Sequence, residues 1–172
     1  MLSIICRIFE EKTVAVEIKD VITHLKSHGR VRIKEGHGTV LELVALTQWN
    51  AHQDSAEGVF LFYDLFQIRT VAEQFSEVSL DIVEFATKPT IYHTPVNRVL
   101  KTGPILHGNV KFAVIKKDFW NKLIFAFSQP LVLQYSHHQD ADFETQEFFP
   151  LLSAGVKEMF LSPEGDIKII KA

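Results

Sequence analysis

Residues 58–63 read Gly-Val-Phe-Leu-Phe-Tyr, a continuous apolar run without a charged residue. A run of this kind is typical of a strand that is buried on both faces of a sheet. Residues 110–115 and 131–133 predict two further strands, and the stretch between them predicts a helix over residues 117–127. One face of that helix carries Phe119, Trp120, Leu123, Ile124 and Phe127. Apolar residues at this spacing indicate a helix that packs against a sheet.

The N-terminal side of this run also alternates between strand-like and helix-like stretches. Residues 40–49 fit either type, and the spacing of Leu41, Val44 and Ala45 favours a helix. The other predictions here are strands at residues 2–8, 13–16 and 31–33, a helix at residues 18–28 that Gly29 ends, and a tight turn at residues 36–38.

The C-terminal side follows the same pattern. Helices are predicted at residues 65–75, 78–86 and 145–152, and strands at residues 90–93, 158–161 and 166–170. Alternation of this kind implies an α/β (α+β) fold with a mixed sheet covered by helices. Because a chain of 172 residues fits one domain, we expect a single domain over residues 1–172.

The composition narrows the classes of partner. The formal net charge is −3, with 18 basic and 21 acidic residues. This balance disfavours a broad nucleic-acid surface, which needs a cationic field, but leaves room for a local basic patch. The single cysteine, Cys6, permits neither an intrachain disulfide nor a cysteine zinc cluster, which suits a cytoplasmic protein. No stretch approaches the roughly 18 apolar residues of a membrane helix, so we expect no membrane partner.

Two local clusters of residues have the composition of a specific binding site. Residues 137–142 (His-His-Gln-Asp-Ala-Asp) offer nitrogen and oxygen ligands for a metal ion. Adjacent histidines on a strand point to opposite faces, however, so a solvated polar loop is the favoured interpretation and no metal is expected. A second cluster mixes basic and aromatic residues as single-stranded nucleic-acid sites do, although a solvated helix start with buried aromatics is favoured. Its members are Lys111, Phe112, Lys116, Lys117, Phe119, Trp120 and Lys122.

Catalytic motifs are missing from the sequence. It contains neither a G-x-S-x-G nucleophile elbow nor a G-x-x-x-x-G-K-[ST] phosphate loop. No catalytic residue is therefore assigned from a motif.

Five segments occur in a recognisable order from Glu77 onward. They are residues 86–92 (Ala-Thr-Lys-Pro-Thr-Ile-Tyr), 108–114 (Gly-Asn-Val-Lys-Phe-Ala-Val), 118–123 (Asp-Phe-Trp-Asn-Lys-Leu), 127–132 (Phe-Ser-Gln-Pro-Leu-Val) and 163–170 (Pro-Glu-Gly-Asp-Ile-Lys-Ile-Ile). This order resembles the YrdC-like family, as do residues 18–33 and 44–49. The catalytic members are threonylcarbamoyl-AMP synthases, which join L-threonine, bicarbonate and ATP for tRNA modification. The resemblance implies a YrdC-like twisted sheet with a concave, cationic cleft.

The positions that carry the family's chemistry are largely replaced in this chain. The family's P-T-D-T loop falls on residues 34–37 (Lys-Glu-Gly-His), and its S-x-S-A-N loop falls on residues 133–137 (Leu-Gln-Tyr-Ser-His). Its Lys-x-Arg pair and its strand arginine correspond to Thr47, Trp49 and Ala113, whereas Lys88 and Thr90 survive and could contact a small carboxylate. The resemblance implies one cleft lined by Thr47, Trp49, Lys88, Thr90, Ala113, Ser136 and His137.

These replacements decide the expected function. The loss of three cations and two polar loops removes several charge-assisted hydrogen bonds, each worth about 1.5–3 kcal/mol. We expect a diverged, non-catalytic YrdC-like domain that acts as a binding or interaction module for RNA or a protein partner, with no cofactor. Its cleft should be poor in arginine and lysine and partly filled by Trp49. Two alternatives stay open: an ATP-dependent threonylcarbamoyl-AMP synthase, and a diverged enzyme that uses the same cleft for another small ligand.

Overall fold

Nine strands form one mixed sheet in the computed structural model, which describes residues 16–136 and 138–172. In chain order they are β1 (Arg30–Lys34), β2 (Val40–Ala45), β3 (Val59–Phe62), β4 (Thr90–Pro95), β5 (Asn109–Val114), β6 (Leu131–Tyr135), β7 (Phe143–Glu144), β8 (Lys157–Leu161) and β9 (Ile167–Lys171). Across the sheet their order is β7-β1-β2-β6-β3-β5-β4-β8-β9. The predicted α/β class with a mixed sheet is confirmed.

The apolar run at residues 58–63 provides the central strand. β3 pairs with β5 in parallel and with β6 antiparallel, and all four of its residues are buried. Hydrogen bonds on both edges satisfy its backbone, so only apolar side chains are needed on its two faces. This is the physical reason why the run contains no polar residue.

Three α-helices cover the sheet: α1 (Ile18–His28), α2 (Glu77–Glu84) and α3 (Asp118–Phe127). α1 and α3 bury Leu25 and Leu123 in one core cluster, on the side that we call face A. α2 buries Val83 in a second cluster on the opposite side, called face B, together with Ile68 from a 3-10 helix at Leu65–Thr70. None of the helices in residues 16–136 and 138–172 is long and apolar enough to cross a membrane.

The ends of α1 and α3 both need a left-handed residue. Gly29 has a φ of 73°, and a Cβ added there would lie 2.2 Å from Cγ of Gln48. Glycine is therefore required both by the backbone conformation and by space. α3 instead ends at Ser128 with a φ of 56°, a conformation that is strained for a residue with a side chain.

The helix favoured for residues 40–49 is wrong. Residues 40–45 form β2, which pairs with β1 on one edge and with β6 on the other, and a short 3-10 helix follows at Leu46–Gln48. Leu41, Val44 and Ala45 are buried on both faces of this strand, so their helical spacing is a consequence of two-sided burial.

The helix predicted at residues 145–152 is also wrong. The backbone groups of Thr145 and Glu147 bond to Lys34 and Gly36 at the end of β1, which holds this stretch extended. Only Pro150–Leu152 forms a 3-10 helix. The helix predicted at residues 65–75 is likewise shortened to the 3-10 helix on face B. The strand predicted at residues 2–8, and all but the last residue of the one at 13–16, lie outside the described residues.

Candidate functional site

The described positions of the expected cleft are spread over the molecule. Thr47 is exposed and lines a small cavity near the C-terminal end of α1. Trp49 packs against the core of face B, and its buried indole N–H has no hydrogen-bond partner among residues 16–136 and 138–172. Ser136 lines two other cavities near β1, and His137 lies outside the described residues. Trp49 therefore packs into the core and does not fill a shared cleft.

Two of the expected positions do meet. Lys88 and Thr90 line one cavity of about 280 Å³, which we call the smaller cavity. Ala113, in contrast, is only 1% exposed and belongs to the core of face A, together with Phe149 and Leu151. At the position where the resemblance implies an arginine, the side chain is thus a packed methyl group.

Residues 145–152, called the crossing segment, follow β7 and run over face A, where Phe149 and Leu151 join the core. Leu151 lines both the smaller cavity and a second cavity of about 640 Å³, the larger cavity. The segment is tied down at Glu35, whose carboxylate accepts a hydrogen bond of 3.0 Å from the backbone N–H of Phe149. The backbone N–H of Gly36 also donates to the carbonyl of Glu147.

Glu35 is a buried carboxylate with a full set of donors. Besides Phe149, the backbone N–H groups of His37 and Thr39 donate to it, and the His37 ring lies 2.7 Å from its Oε2. Burial raises the pKa of Glu35, but these hydrogen bonds outweigh burial and bring the pKa below its ordinary value. The carboxylate therefore joins the β1–β2 turn to the crossing segment as a charged clamp.

The larger cavity carries balanced charges. Its lining includes two lysines and two glutamates: Glu57, Lys111, Glu158 and Lys171. Nζ of Lys111 lies 4.0 Å from Oε1 of Glu158, so these opposite charges partly neutralise each other. Apolar residues from β3, β4 and β6 form the rest of the floor, including Val59, Ile91 and Leu133.

Glu158 is the centre of a polar cluster at this cavity. Nε2 of His93 on β4 lies 2.5 Å from Oε1 of Glu158 on β8. Partial burial raises the pKa of Tyr135, and the negative charge of Glu158 raises it further. Lys111, Tyr135 and Glu158, from three different strands, therefore line the cavity with donors and acceptors for a polar ligand, and His93 contacts the Glu158 carboxylate beside them.

The sequence did not predict this cluster. In the sequence His93 is one of eight histidines, and Lys111 is one member of the basic and aromatic cluster. The signal that could have found them is strand pairing, because His93 and Lys111 are direct partners across β4 and β5. Glu158 lies on β8, which pairs with β4 through a parallel register that local sequence does not reveal.

The lysines of the basic and aromatic cluster point to different places. Lys111 lines the larger cavity, whereas Lys116 and Lys117 line the smaller one. Lys122 lies on the surface of α3, 2.9 Å from the carboxylate of Asp118. They form no continuous cationic stripe for a nucleic-acid strand within the described residues.

One of the two cavities near β1 that Ser136 lines contains polar side chains that hydrogen-bond to one another. Arg30 donates to both carboxylate oxygens of Asp54, at 2.6 and 2.7 Å, and to Glu42. Gln134 donates to the same two carboxylates. Burial raises the pKa of Asp54, but the hydrogen bonds from Arg30, the Asn50 backbone and Gln134 bring it below the ordinary value. This network stabilises the fold and leaves few donors for a ligand.

In the polar cluster at residues 137–142, the structure shows Asp142 bound to groups of the protein itself. Asp142 accepts a hydrogen bond from the backbone N–H of Arg32, and its carboxylate lies 3.5 Å from the His24 ring. No group of three His, Cys, Asp or Glu side chains in residues 16–136 and 138–172 is arranged to hold a metal ion.

Solved structures with the same architecture show which fold this is. HypF in its phosphate- and nucleotide-bound form superposes with a TM-score of 0.65 at 14% identity, over 91% of this chain and 29% of HypF. Sua5 of P. abyssi in complex with L-threonine gives a TM-score of 0.62 at 11% identity, over 84% of this chain and 50% of Sua5. MTH1692 of Methanobacterium thermoautotrophicum gives a TM-score of 0.57 at 11% identity, over 98% of this chain and 92% of the MTH1692 chain.

The chain therefore has the fold of the YrdC-like domains found in HypF and Sua5. It spans about half the length of Sua5 and less than a third of HypF. No protein-family model and no curated protein matches the sequence. The likeness establishes the fold, and the function must be argued from the cavities.

Proposed function

We propose that this chain is a non-catalytic YrdC-like binding domain, and that its larger cavity holds a small zwitterionic metabolite of the amino-acid type. The observation that carries the proposal is the charge balance of that cavity. Lys111 and Lys171 can pair with a carboxylate, while Glu57 and Glu158 can pair with an ammonium group. One structure with the same fold is a complex with L-threonine, which supports a ligand of this class.

The same balance disfavours ATP chemistry. A triphosphate needs fixed cations with free donors, and here it would meet two carboxylates beside the two lysines. The buried Ala113 cannot supply the strand arginine that the resemblance implies. Residues 149–151 also occupy part of face A, which narrows the space for a nucleotide. The polar cluster at Glu158 is thus better suited to recognition than to phosphate transfer.

Calorimetric titration with a panel of amino acids, AMP and ATP tests the proposal. We expect at least one amino acid to bind, with ATP neither binding nor competing. Lys111→Met and Glu158→Gln should each weaken binding at least about tenfold, because each removes one charged contact worth about 1.5–3 kcal/mol. Lys122→Met is the matched control, since it removes a surface lysine outside the cavity.

Two outcomes would overturn the proposal. Binding that is unaffected by both cavity variants would place the ligand elsewhere. Conversion of ATP to pyrophosphate in the presence of threonine and bicarbonate would instead establish the threonylcarbamoyl-AMP synthase alternative. A variant such as Glu158→Gln that abolishes this turnover would show that the polar cluster is catalytic.

A further inference from the structure

The smaller cavity has apolar walls and a cationic mouth. Six residues from both faces form most of its walls: Val83, Tyr92, Val114, Ile115, Pro150 and Leu151. Lys88, Lys116 and Lys117 also line the cavity, and among the described residues its lining contains no Asp or Glu. We propose that it is a second binding site for a small organic anion, an aryl or short acyl group with one carboxylate or phosphate. This site does not depend on the larger cavity.

Backbone carbonyl groups hold two of the lysines at this mouth. Nζ of Lys116 donates to the carbonyls of Glu84 and Ala86 at the end of α2, and Nζ of Lys117 donates to the carbonyl of Phe148. Carbonyl groups orient an ammonium without neutralising it, unlike a carboxylate. The nearest counter-charge to Lys117 is Glu147, 4.0 Å away. Because an ammonium has three donors, both lysines retain at least one for an anion.

A buried hydroxyl in the wall provides a second polar group. Tyr92 is 2% exposed, and its hydroxyl lies beside the hydroxyl of Thr90. The Thr90 hydroxyl donates to the carbonyl of Lys88, so its oxygen can accept from Tyr92. A buried hydroxyl pair in the wall of the cavity adds a neutral polar group beside the lysines for a ligand atom.

The size and surroundings of the cavity favour a small molecule. A volume of about 280 Å³ accommodates a single ring or a short chain but is below the usual range for larger ligands. A nucleic-acid strand would need further cations along its path, and the formal net charge of the chain is −3. The three lysines lie together at the mouth of the smaller cavity, and this arrangement matches a ligand with one anionic group.

Titration by NMR or calorimetry with four probes tests the site. Benzoate and phenyl phosphate combine a ring with an anion, benzyl alcohol keeps the ring without the charge, and inorganic phosphate keeps the charge without the ring. We expect at least one of the two ring anions to bind about tenfold or more tightly than benzyl alcohol and phosphate.

Variants identify the residues that bind the probe. Lys88→Glu should weaken the bound ring anion at least about tenfold, whereas Lys122→Glu, which changes the net charge equally on the surface of α3, should not. Tyr92→Phe, which removes the hydroxyl from the cavity wall and keeps the ring, should weaken binding several-fold while the protein stays folded. If Lys88→Glu does not fold, Lys88→Met replaces it as the test variant, because it removes the positive charge without adding a negative one.

Three results would contradict the site. If benzyl alcohol binds as tightly as benzoate, the lysines do not contribute, and the smaller cavity is only an apolar pocket. Equal effects of Lys88→Glu and Lys122→Glu would indicate non-specific charge attraction. Tight binding of single-stranded oligonucleotides, in the absence of binding by the ring anions, would assign the lysines to nucleic acid.

Discussion

The carboxylate of Glu35 and the backbone N–H of Phe149 are joined by a 3.0 Å hydrogen bond across 114 residues of sequence. Glu35 follows β1, and Phe149 lies in the crossing segment on face A. One buried carboxylate thereby holds the segment whose Leu151 lines both cavities. The clamp links the stability of the fold to the shape of both candidate sites.

The Glu35 clamp should make stability depend on pH. Its pKa lies below the ordinary carboxyl value of about 4.3, so its stabilisation is complete above that pH and is lost as pH falls further. Glu35→Gln should lower the free energy of unfolding by about 2 kcal/mol at pH 7 and flatten its decrease between about pH 5 and pH 3. Urea unfolding of both proteins across this range provides the measurement.

Glu147→Gln is the control for this experiment, because Glu147 is exposed and its carboxylate lies 4.0 Å from Lys117. It should change stability by less than about 1 kcal/mol. A wild-type pH profile that Glu35→Gln leaves unchanged would show that the clamp does not determine acid sensitivity.

Restoring the arginine implied by the resemblance should disrupt the fold. Ala113 is 1% exposed in the core of face A, so Ala113→Arg would bury a charge without a partner and overpack the core. We expect a loss of more than about 4 kcal/mol, and a chain that does not fold under conditions where the wild type does. Ala113→Ser, a small change, should remain folded. A stable Ala113→Arg protein that binds ATP would show that face A can open.

Asp54 and Arg30 should be energetically coupled. Asp54→Asn removes a bidentate charged contact and should destabilise the fold by about 2 kcal/mol. In that background, Arg30→Met should cost less than in the wild type, because Arg30 has already lost its main partner. Denaturant unfolding of the two single variants and the double variant measures the coupling, and strictly additive effects would contradict it.

The two left-handed helix ends should respond in opposite directions. Ser128→Gly relieves a φ of 56° and should stabilise the protein by about 0.5–1 kcal/mol. Gly29→Ala should destabilise it by more than about 1 kcal/mol, because the new Cβ would clash with Gln48 as well as strain the backbone. Melting temperatures of the two variants provide the comparison, and stabilisation by Gly29→Ala would refute the assignment.

Local errors in the sequence predictions have one physical origin. At residues 40–45 and 145–152 the deciding hydrogen bonds come from strands that are remote in sequence, so local spacing gives a helix where the sheet imposes an extended chain. The helix at Ile18–His28 is confirmed because its apolar face and its terminal Gly29 are local signals. Hydrophobic periodicity predicts an element correctly when the hydrogen bonds that hold the element lie within it, as they do in a helix.

The amino-acid sequence by itself determined the α/β class and the buried central strand, because these follow from residue types and their local order. Only the tertiary structure decided the candidate sites. His93 and Glu158 meet across 65 residues because β4 and β8 pair in parallel, and Lys88 shares a cavity with Lys117 because β4 and β5 lie side by side. A cavity is defined by side chains from several elements, and no local pattern encodes their registers.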